Sequence, residues 1–257
     1  MCQLLGMNSR LPASVQFSLD GFLRRGGDTD HHADGWGIAF LGGRQCRVYT
    51  DSQPSVRSPL VDVLRRQTIQ SRNVIAHVRK ATRGAVSAAN CHPFTRTLWG
   101  RHWAFAHNGT LEGFVPTLQG RYRPAGETDS EAAFCHLLQQ LRDTFGCRAP
   151  DLAALRKKLQ ALSAVIADHG AFNYLLSDGQ HLFAHCTTDL CAVRRAAPFG
   201  QPELVDCAAV IDLARHNKRS DCMTLVATKP LTHNEAWDIF APGELKLFLN
   251  GMEQRAS

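Results

Sequence analysis

The sequence has no long apolar run, no basic N-terminal leader and no regular cysteine spacing. Nowhere do about 18 apolar residues follow one another, and residues 1–20 contain neither a basic start nor an apolar stretch. We therefore expect neither a membrane span nor a secretory signal. Nine cysteines, an odd count in 257 residues, argue against a disulfide framework and for a reducing compartment. The expected location is cytoplasmic.

A concentrated basic stripe is also missing, although the formal net charge is +6. The basic residues occur as scattered pairs and one triplet, without the aromatic or groove-reading residues that accompany them in nucleic-acid binders. The sequence contains no Gly-rich phosphate loop, no internal repeat and no low-complexity linker. With 44% hydrophobic residues the chain can bury one large core, so we expect a single domain over residues 1–257. We expect no nucleic-acid partner, no membrane and no cofactor.

Cys2 directly follows the initiator residue Met1. Once Met1 is removed, Cys2 carries a thiol and a free α-amino group on one Cα. A reference thiol has a pKa near ~8.5 and an α-amine one near ~7.7–8.0, so the amine can take the thiol proton at neutral pH. One residue can then supply both nucleophile and base. The alternative is a fraying, oxidisable N-terminus with an incidental cysteine.

Apolar periodicity predicts strands toward both ends of the chain, with helices between and beside them. The predicted strands are 3–7, 35–40, 46–49, 74–78, 103–107, 172–177, 181–186, 190–193, 209–211, 223–227 and 244–248. The predicted helices are 12–23, 59–64 with Ser58 as its cap, one opened by the capping box 128–131, and 151–167 with Gly170 as its C-cap. Consecutive hairpins imply antiparallel pairing, and the order of elements favours an α+β sandwich.

Two residue pairs suggest metal binding. His31 and His32 are adjacent, but neighbouring side chains on an extended chain point to opposite faces, which favours loop surface. Cys186 and Cys191 flank a turn without CxxC spacing or a second ligand pair. We expect no metal site at either place.

Two further stretches have both a structural and a functional interpretation. Asn108-Gly109 follows an alternating strand and, taken alone, is best explained as a type I′ hairpin turn. Alternatively, the Asn108 side chain and the Gly109 N–H supply two donors for a developing oxyanion. Asp129 stands in the first turn of a predicted helix, where it either complements the helix dipole or binds a ligand.

Strand 74–78 ends just before Arg79 and Thr82, the usual place for a strand to present side chains to a site. Together with other motifs, this stretch resembles the class II glutamine amidotransferase family of N-terminal-nucleophile (Ntn) hydrolases. Each motif is weak alone, but their common order and spacing are specific. The second half of the chain fits the remainder of a stand-alone domain. The motifs are Cys2, AHVRKAT at 76–82, NCHP at 90–93, HNG at 107–109 and GETDSE at 126–131.

The resemblance implies a four-layer αββα sandwich with two antiparallel sheets stacked face to face. It also implies that Cys2 attacks the side-chain amide of glutamine, releases ammonia and forms a γ-glutamyl thioester that water hydrolyses. Asn108 and the Gly109 N–H are then expected to hold the oxyanion. Arg79 is expected to pair with the substrate α-carboxylate and Asp129 with its α-ammonium group.

The resemblance further implies that Thr82, His92 and His107 help to form the substrate pocket. The sequence departs from the large synthases of the family in one respect. An aromatic residue commonly follows the arginine there, whereas here Lys80 does, and Arg83 stands beyond Thr82. The shape and closure of the pocket are expected to differ accordingly.

Three functions remain open at this point. The first is glutamine-dependent ammonia supply to a separate synthase, because no acceptor domain is recognised before Ser257. The second is hydrolysis of another γ-glutamyl amide, and the third is a non-catalytic module that binds a γ-glutamyl ligand. The polar, glycine-bounded segment 26–34 is a candidate wall beside the leaving group and is expected to be mobile.

Overall fold

A computed structural model describes residues 2–81 and 84–255, and the strands of these residues form two antiparallel sheets. The first sheet has seven strands. In order across the sheet they are Asp238–Ile239 (β11), Cys191–Ala196 (β9), Cys222–Ala227 (β10), Gln3–Ala13 (β1), Ser71–Val78 (β4), Trp36–Gly42 (β2) and Gln45–Asp51 (β3). The long β1 lies near the middle of this sheet, so Cys2, which directly precedes it, lies between neighbouring strands and not at the edge of the sheet.

The second sheet has six strands. In order they are Met252–Glu253 (β13), Leu245–Leu249 (β12), His181–His185 (β8), Asn173–Ser177 (β7), Arg101–Asn108 (β6) and Phe94–Leu98 (β5). The helices are Gln16–Arg24 (α1), Pro59–Arg66 (α2), Asp129–Phe145 (α3), Leu152–Ala167 (α4) and the short Leu213–His216 (α5). Single 3₁₀ turns lie at Ser55–Arg57 and Ala88–Asn90.

Three apolar cores separate four layers. Phe22 of α1 belongs to the core between the first sheet and α1 and α2. Leu4 and Leu175 belong to the core between the two sheets. On the far side, Phe134 of α3 stacks on Phe105 of β6 with ring centroids 5.1 Å apart. Each such buried side chain contributes about 1.5–3 kcal/mol to folding. The order of the layers is helices, sheet, sheet, helices, so the predicted αββα sandwich is confirmed.

Two sequence predictions near the chain's second half are wrong. Segment 209–211 is not a strand of a sheet, because β11 occupies the edge beside β9 and only an isolated bridge involves Val210. Gly170 is not the C-cap of α4, because the helix is capped at Asp168 and Gly170 instead bridges to Leu111. That bridge ties the end of α4 to the chain that leaves β6.

Two boundaries in the first half also differ from the prediction. β1 runs through Pro12, where a helix was predicted, and its register on β4 shifts between Asn8 and Ala13. Pro12 has no backbone N–H to donate to a neighbouring strand, and such a residue is tolerated where the pairing is irregular. Ser58 occupies the N-cap position of α2 as predicted, but its side chain makes no capping hydrogen bond and its hydroxyl donates to the carboxylate of Asp51.

The start of β1 and the ends of β4 and β6 meet at one end of the sandwich. Gln3 pairs with Val78 in the first sheet, so Cys2 stands beside the residues that follow β4. Thr228 joins the two sheets there. Its Oγ1 accepts the Leu4 N–H at 2.9 Å and lies 3.5 Å from Nδ2 of Asn108. The strand ends therefore bring together motifs that are far apart in sequence.

In residues 2–81 and 84–255, no helix has the length and apolar character needed to cross a bilayer.

Candidate active site

Cys2 lies half-buried against the backbone that follows β4. Its Sγ accepts the Lys80 N–H at 3.2 Å and lies 3.3 Å from the Lys80 carbonyl oxygen. Burial raises the pKa of the Cys2 thiol, and the Lys80 N–H and the charge of Arg79 offset this only in part. The thiol is therefore protonated at neutral pH and needs a base before it can attack.

Arg79 follows β4 directly and is only 3% exposed. Its backbone N–H donates to the Gly35 carbonyl at 2.8 Å, which fixes the start of the side chain. The guanidinium donates to the carbonyls of Asp34, Gly84 and Ala85 at 3.3–3.4 Å. These are neutral acceptors at long distances, whereas a carboxylate binds a guanidinium with shorter and stronger hydrogen bonds. A carboxylate ligand would therefore bind the guanidinium more strongly than these three carbonyls do.

Asp129 is the first residue of α3, and the predicted capping box is confirmed because Thr128 Oγ1 accepts the Glu131 N–H at 3.2 Å. Asp129 Oδ1 accepts the Ser130 N–H at 2.8 Å, and its Oδ2 accepts the Leu111 N–H at 2.7 Å. The second bond reaches across to the chain just beyond Gly109. Within the described part of the chain, no cationic side chain pairs with this half-buried carboxylate.

Asn108 ends β6 and is fully buried. The type I′ hairpin turn favoured for Asn108-Gly109 is wrong, because β6 pairs with β5 and β7 and the chain after Gly109 does not return beside it. The Asn173 side chain holds the Asn108 carbonyl at 3.0 Å. The Asn108 amide has only the long contact to Thr228 Oγ1, and its Oδ1 has no partner among the residues described. This polar group is therefore available to a ligand.

Gly109 lies where a larger residue does not fit. A Cβ there would overlap the carbonyl oxygen of Ala171 and come within 2.8 Å of His107 Nε2. Gly109 directly follows Asn108, so its backbone N–H and the Asn108 amide both belong to the chain at the end of β6. Two adjacent donors are what an oxyanion site requires.

His107 lies behind these groups rather than in front of them. It is buried, and its Nε2 donates to the Ala171 carbonyl at 3.0 Å while its Nδ1 accepts from the Ser130 hydroxyl at 2.8 Å. Burial lowers the pKa of His107, which keeps this neutral tautomer. Both ring nitrogens are engaged, so His107 braces the start of α3 against the end of β6.

His92 packs against His77 of β4, with ring centroids 4.2 Å apart, and against Phe94 at 4.4 Å. None of the four imidazole nitrogens of the two histidines has a hydrogen-bond partner among the described residues. Burial, followed by the nearby histidines and Arg79, lowers the pKa of His77 to about 3 and that of His92 well below its ordinary value. Both rings are neutral and sit beneath the strand end that carries Arg79.

Other predicted residues have different outcomes. Thr82 and Arg83 lie outside the described residues. His31 is exposed as expected, but His32 is buried and its Nδ1 lies 3.1 Å from Asp30, so the surface interpretation of His32 is wrong. Across residues 2–81 and 84–255, no group of three or more metal-binding side chains is found.

Arg25 was missed by the sequence analysis, which counted it only among the scattered basic pairs. Its buried guanidinium donates to Asp206 at 2.9 Å, to Gln3 at 3.3 Å and to the Pro230 carbonyl at 2.7 Å. Thr29 donates to the same Asp206 at 2.7 Å. Nothing in the local pattern of the sequence marks these partners, because Asp206 is far away in the chain.

Segment 26–34 is therefore anchored, contrary to the expectation of a mobile wall. Asp206 holds Thr29, and Oδ2 of Asp34 accepts the Ala81 N–H at 2.8 Å at the other end of the segment. Asp30 lies 3.5 Å from the amide of Gln3 in β1. The segment covers the start of β1 and the end of β4, so it borders Cys2 and Arg79.

Sequence comparison finds relatives that match 98% of the chain. The chain is 45% identical over 251 residues to the YafJ protein of Escherichia coli (strain K12), whose name places it provisionally among the glutamine amidotransferases, and the match covers 98% of each chain. It is 44% identical over 251 residues to a similarly named protein of Haemophilus influenzae, covering 98% of this chain and 85% of that one.

Solved structures give the same result. A "predicted glutamine amidotransferase" from Pseudomonas aeruginosa PA01 is 38% identical with a TM-score of 0.76, and the match covers 99% of this chain and all of that one. Glutamine phosphoribosylpyrophosphate amidotransferase from B. subtilis shares the fold, with a TM-score of 0.58 at 15% identity, over 98% of this chain and 48% of that one. The family model described as "Glutamine amidotransferases class-II" matches residues 1–257. The resemblance is confirmed, and the chain belongs to the class II glutamine amidotransferase family.

Proposed function

We propose that the protein hydrolyses the side-chain amide of glutamine through a γ-glutamyl thioester on Cys2 and releases ammonia. One observation carries the proposal. The half-buried Cys2 thiol, the buried Arg79 guanidinium and the incompletely bonded amide of Asn108 meet at one end of the sandwich. These three groups provide a nucleophile, a carboxylate receptor and an oxyanion donor.

The base in this proposal is the α-amine of Cys2 after removal of Met1. The amine takes the thiol proton, and the thiolate attacks the amide carbon to give a tetrahedral intermediate. The Asn108 amide and the Gly109 N–H stabilise its oxygen anion. The α-ammonium group returns its proton to the amide nitrogen, and the intermediate collapses as the C–N bond breaks and ammonia leaves. Water then attacks the thioester, which releases glutamate and restores the thiol.

Recognition of the amino-acid end is assigned to two charged groups. Arg79 pairs with the α-carboxylate, replacing its long bonds to backbone carbonyls, and Asp129 binds the α-ammonium group. Asp129 also caps α3, so its structural and ligand-binding roles are compatible. We assign His92 and Thr82 to the surroundings of the pocket and His107 to the support of Asp129 through Ser130.

Ammonia transfer is the second part of the proposal. Class II members supply ammonia to an acceptor, and we propose that this chain, acting as one domain, supplies it to a separate synthase. Hydrolysis of a larger γ-glutamyl amide and simple binding of a γ-glutamyl ligand use the same recognition groups. Turnover measurements separate these alternatives.

The test compares ammonia release from glutamine with amine release from γ-glutamyl amides of increasing size. We expect measurable but slow glutaminase activity, and loss of it in Cys2→Ala. Cys46→Ser is the matched control, because Cys46 is also a half-buried thiol but lies in β3 away from the site. A higher kcat/KM for a bulkier amide than for glutamine would identify the bulkier amide as the substrate. Binding without release of any amine would overturn the enzymatic assignment.

A further inference from the structure

A second cleft lies at the end of the sandwich opposite Cys2. It has a volume of about 320 Å³ and is formed by the turns that join strands of both sheets. Arg72 stands at the far end of β4 and Arg101 at the far end of β6. At about 3.3 Å per strand residue, Arg72 is roughly 20 Å from Arg79, so the cleft is separate from the candidate active site.

The cleft is preformed because three turns are locked together beneath it. The carbonyl oxygen of Gly43, in the turn after β2, lies only 2.8 Å from where a Cβ of Gly179 would stand, so the β7–β8 turn packs directly on it. The fully buried Asn8 ties the other parts. Its Nδ2 donates to the Gln180 carbonyl at 3.2 Å, and its Oδ1 accepts the Gly251 N–H at 2.8 Å.

Three arginines surround this cleft, and its lining contains no carboxylate. Arg101 is held in place by Gln180 Oε1 at 2.9 Å and by the buried Asp178 at 3.4 Å. Arg44 and Arg72 are exposed and have no ion-pair partner in the described part of the chain. The lining therefore has an excess of positive charge, and a concave surface of one sign concentrates the electrostatic potential inside it.

We propose that this cleft binds a small anion bearing one or two phosphate groups. The guanidinium group is planar and donates two parallel hydrogen bonds, which suits phosphate oxygens. The volume is at the lower end of the range for small-molecule sites, about 300–1,000 Å³. It accommodates a diphosphate but not a dinucleotide. The inference does not depend on the proposed glutaminase activity.

A nucleic-acid backbone is the competing ligand. The neighbouring Arg47 extends the positive surface beyond the cleft, and phosphates along a strand could follow it. The small ligand is favoured instead, because Gln180 of the locked β7–β8 turn holds Arg101 in the cleft and so provides a fixed point of attachment. Probes of both kinds distinguish these possibilities.

The test is calorimetric titration of the full-length protein with inorganic pyrophosphate, with inorganic phosphate and with a short DNA duplex, at low ionic strength. Wild type is expected to bind one pyrophosphate per chain. In NMR spectra, this binding is expected to shift the indole N–H resonance of Trp99, which lies in the cleft wall. The double variant Arg44→Ala/Arg72→Ala should weaken this binding at least tenfold while keeping the melting temperature. Both residues are exposed and have no ion-pair partner among residues 2–81 and 84–255, so their removal breaks no ion pair there.

The matched control is Arg57→Ala/Arg121→Ala, which removes the same charge from two exposed positions outside the cleft. It should bind pyrophosphate as wild type does. Three results would overturn the proposal: no pyrophosphate binding by wild type at millimolar concentration, equal weakening in the control variant, or tighter binding of the duplex than of pyrophosphate.

Discussion

Arg25 and Asp206 stand 181 residues apart in the chain, and the Nε–H of Arg25 donates to Oδ2 of Asp206 at 2.9 Å. Both side chains are largely withdrawn from solvent, at 6% and 8% exposed. Thr29 donates to the other oxygen of the same carboxylate. The C-terminal half of the chain thereby holds segment 26–34 in place beside Cys2.

Removal of this carboxylate should loosen the segment and destabilise the fold. Asp206→Ala leaves a buried guanidinium without its anion, a change that typically costs about 3–5 kcal/mol. We expect the free energy of unfolding to fall by about that amount, and amides of 26–34 to exchange faster with solvent. Asp62→Ala is the control, because it breaks an exposed pair with Arg65 worth about 0–1 kcal/mol. Equal losses in both variants would show that the Asp206 contact is not a buried ion pair in solution.

An electrophilic analogue of glutamine should label Cys2 alone among the nine cysteines. The diazoketone analogue carries the amino-acid group that directs it to Arg79 and Asp129. Cys91 also lies near Arg79, but it is buried, and burial raises its pKa. Burial raises the pKa of Cys46 to about 11, so this comparison thiol should stay unmodified. Peptide mapping identifies the label, and intact mass should show that labelled chains lack Met1. Labelling of chains that retain Met1 contradicts the α-amine as base.

Asn108→Ala should lower kcat by about 10²–10³, the usual effect of one lost oxyanion donor, with little change in KM. Asn108→Asp keeps the shape of the side chain but replaces the donor by an anionic oxygen, so its kcat should be no higher than that of Asn108→Ala. Steady-state ammonia release measures both variants. A variant of either kind with wild-type kcat would remove Asn108 from the oxyanion site.

Arg79→Lys and Asp129→Asn should act mainly on KM. Loss of a charge-assisted contact costs about 1.5–3 kcal/mol, which corresponds to roughly 10- to 150-fold in kcat/KM. Substrate analogues provide the control for each residue. Arg79→Lys should lose nothing further on decarboxylated glutamine, and Asp129→Asn nothing further on glutaramic acid, which lacks the amine. Full additional losses on these analogues would mean that the two residues do not contact the groups assigned to them.

The fold could be predicted from the sequence largely because its signals are local. The capping box at Thr128, the apolar face of α4 and the alternation along β6 each determine an element within a few residues. The Asn108-Gly109 stretch shows the limit of such signals. Locally it is typical of a hairpin turn, but the neighbour of β6 is β7, which begins only at Asn173.

The order of the motifs allowed the candidate site residues to be proposed from the sequence. The contacts that hold the surrounding segments in place could not be predicted in this way. Cys2 was singled out by its position directly after Met1, and Arg79 by its position at the end of a predicted strand. The partners of Arg25 depend on tertiary contacts across the whole chain, for which a single sequence carries no periodic signal. Burial of His32 was missed for a different reason, because the loop that contains His32 and its partner Asp30 is polar and has no apolar pattern.

The stacked pair His77 and His92 should make stability depend on acidity below neutral pH. Burial lowers the pKa of His77 to about 3 and that of His92 well below its ordinary value, whereas both titrate near about 6.5 in the unfolded chain. Between these values the unfolded state binds more protons than the folded state, so stability falls as the pH decreases from about 6.5 towards 3. Each histidine contributes a slope of about 1.4 kcal/mol per pH unit.

Denaturant unfolding of His77→Gln and wild type at several pH values measures this effect. The variant loses one of the two buried titrating groups, so the slope of its unfolding free energy between pH 6 and 4 should be smaller by about 1.4 kcal/mol per pH unit. His92 stacks on His77, and the charges of His107, Arg79 and His32 disfavour a further positive charge there, whereas the backbone of His107 favours it. His102→Gln, at an exposed position of β6, is the control and should leave the wild-type slope unchanged. If His77→Gln also has the wild-type slope, His77 is not the buried neutral group whose protonation opposes folding.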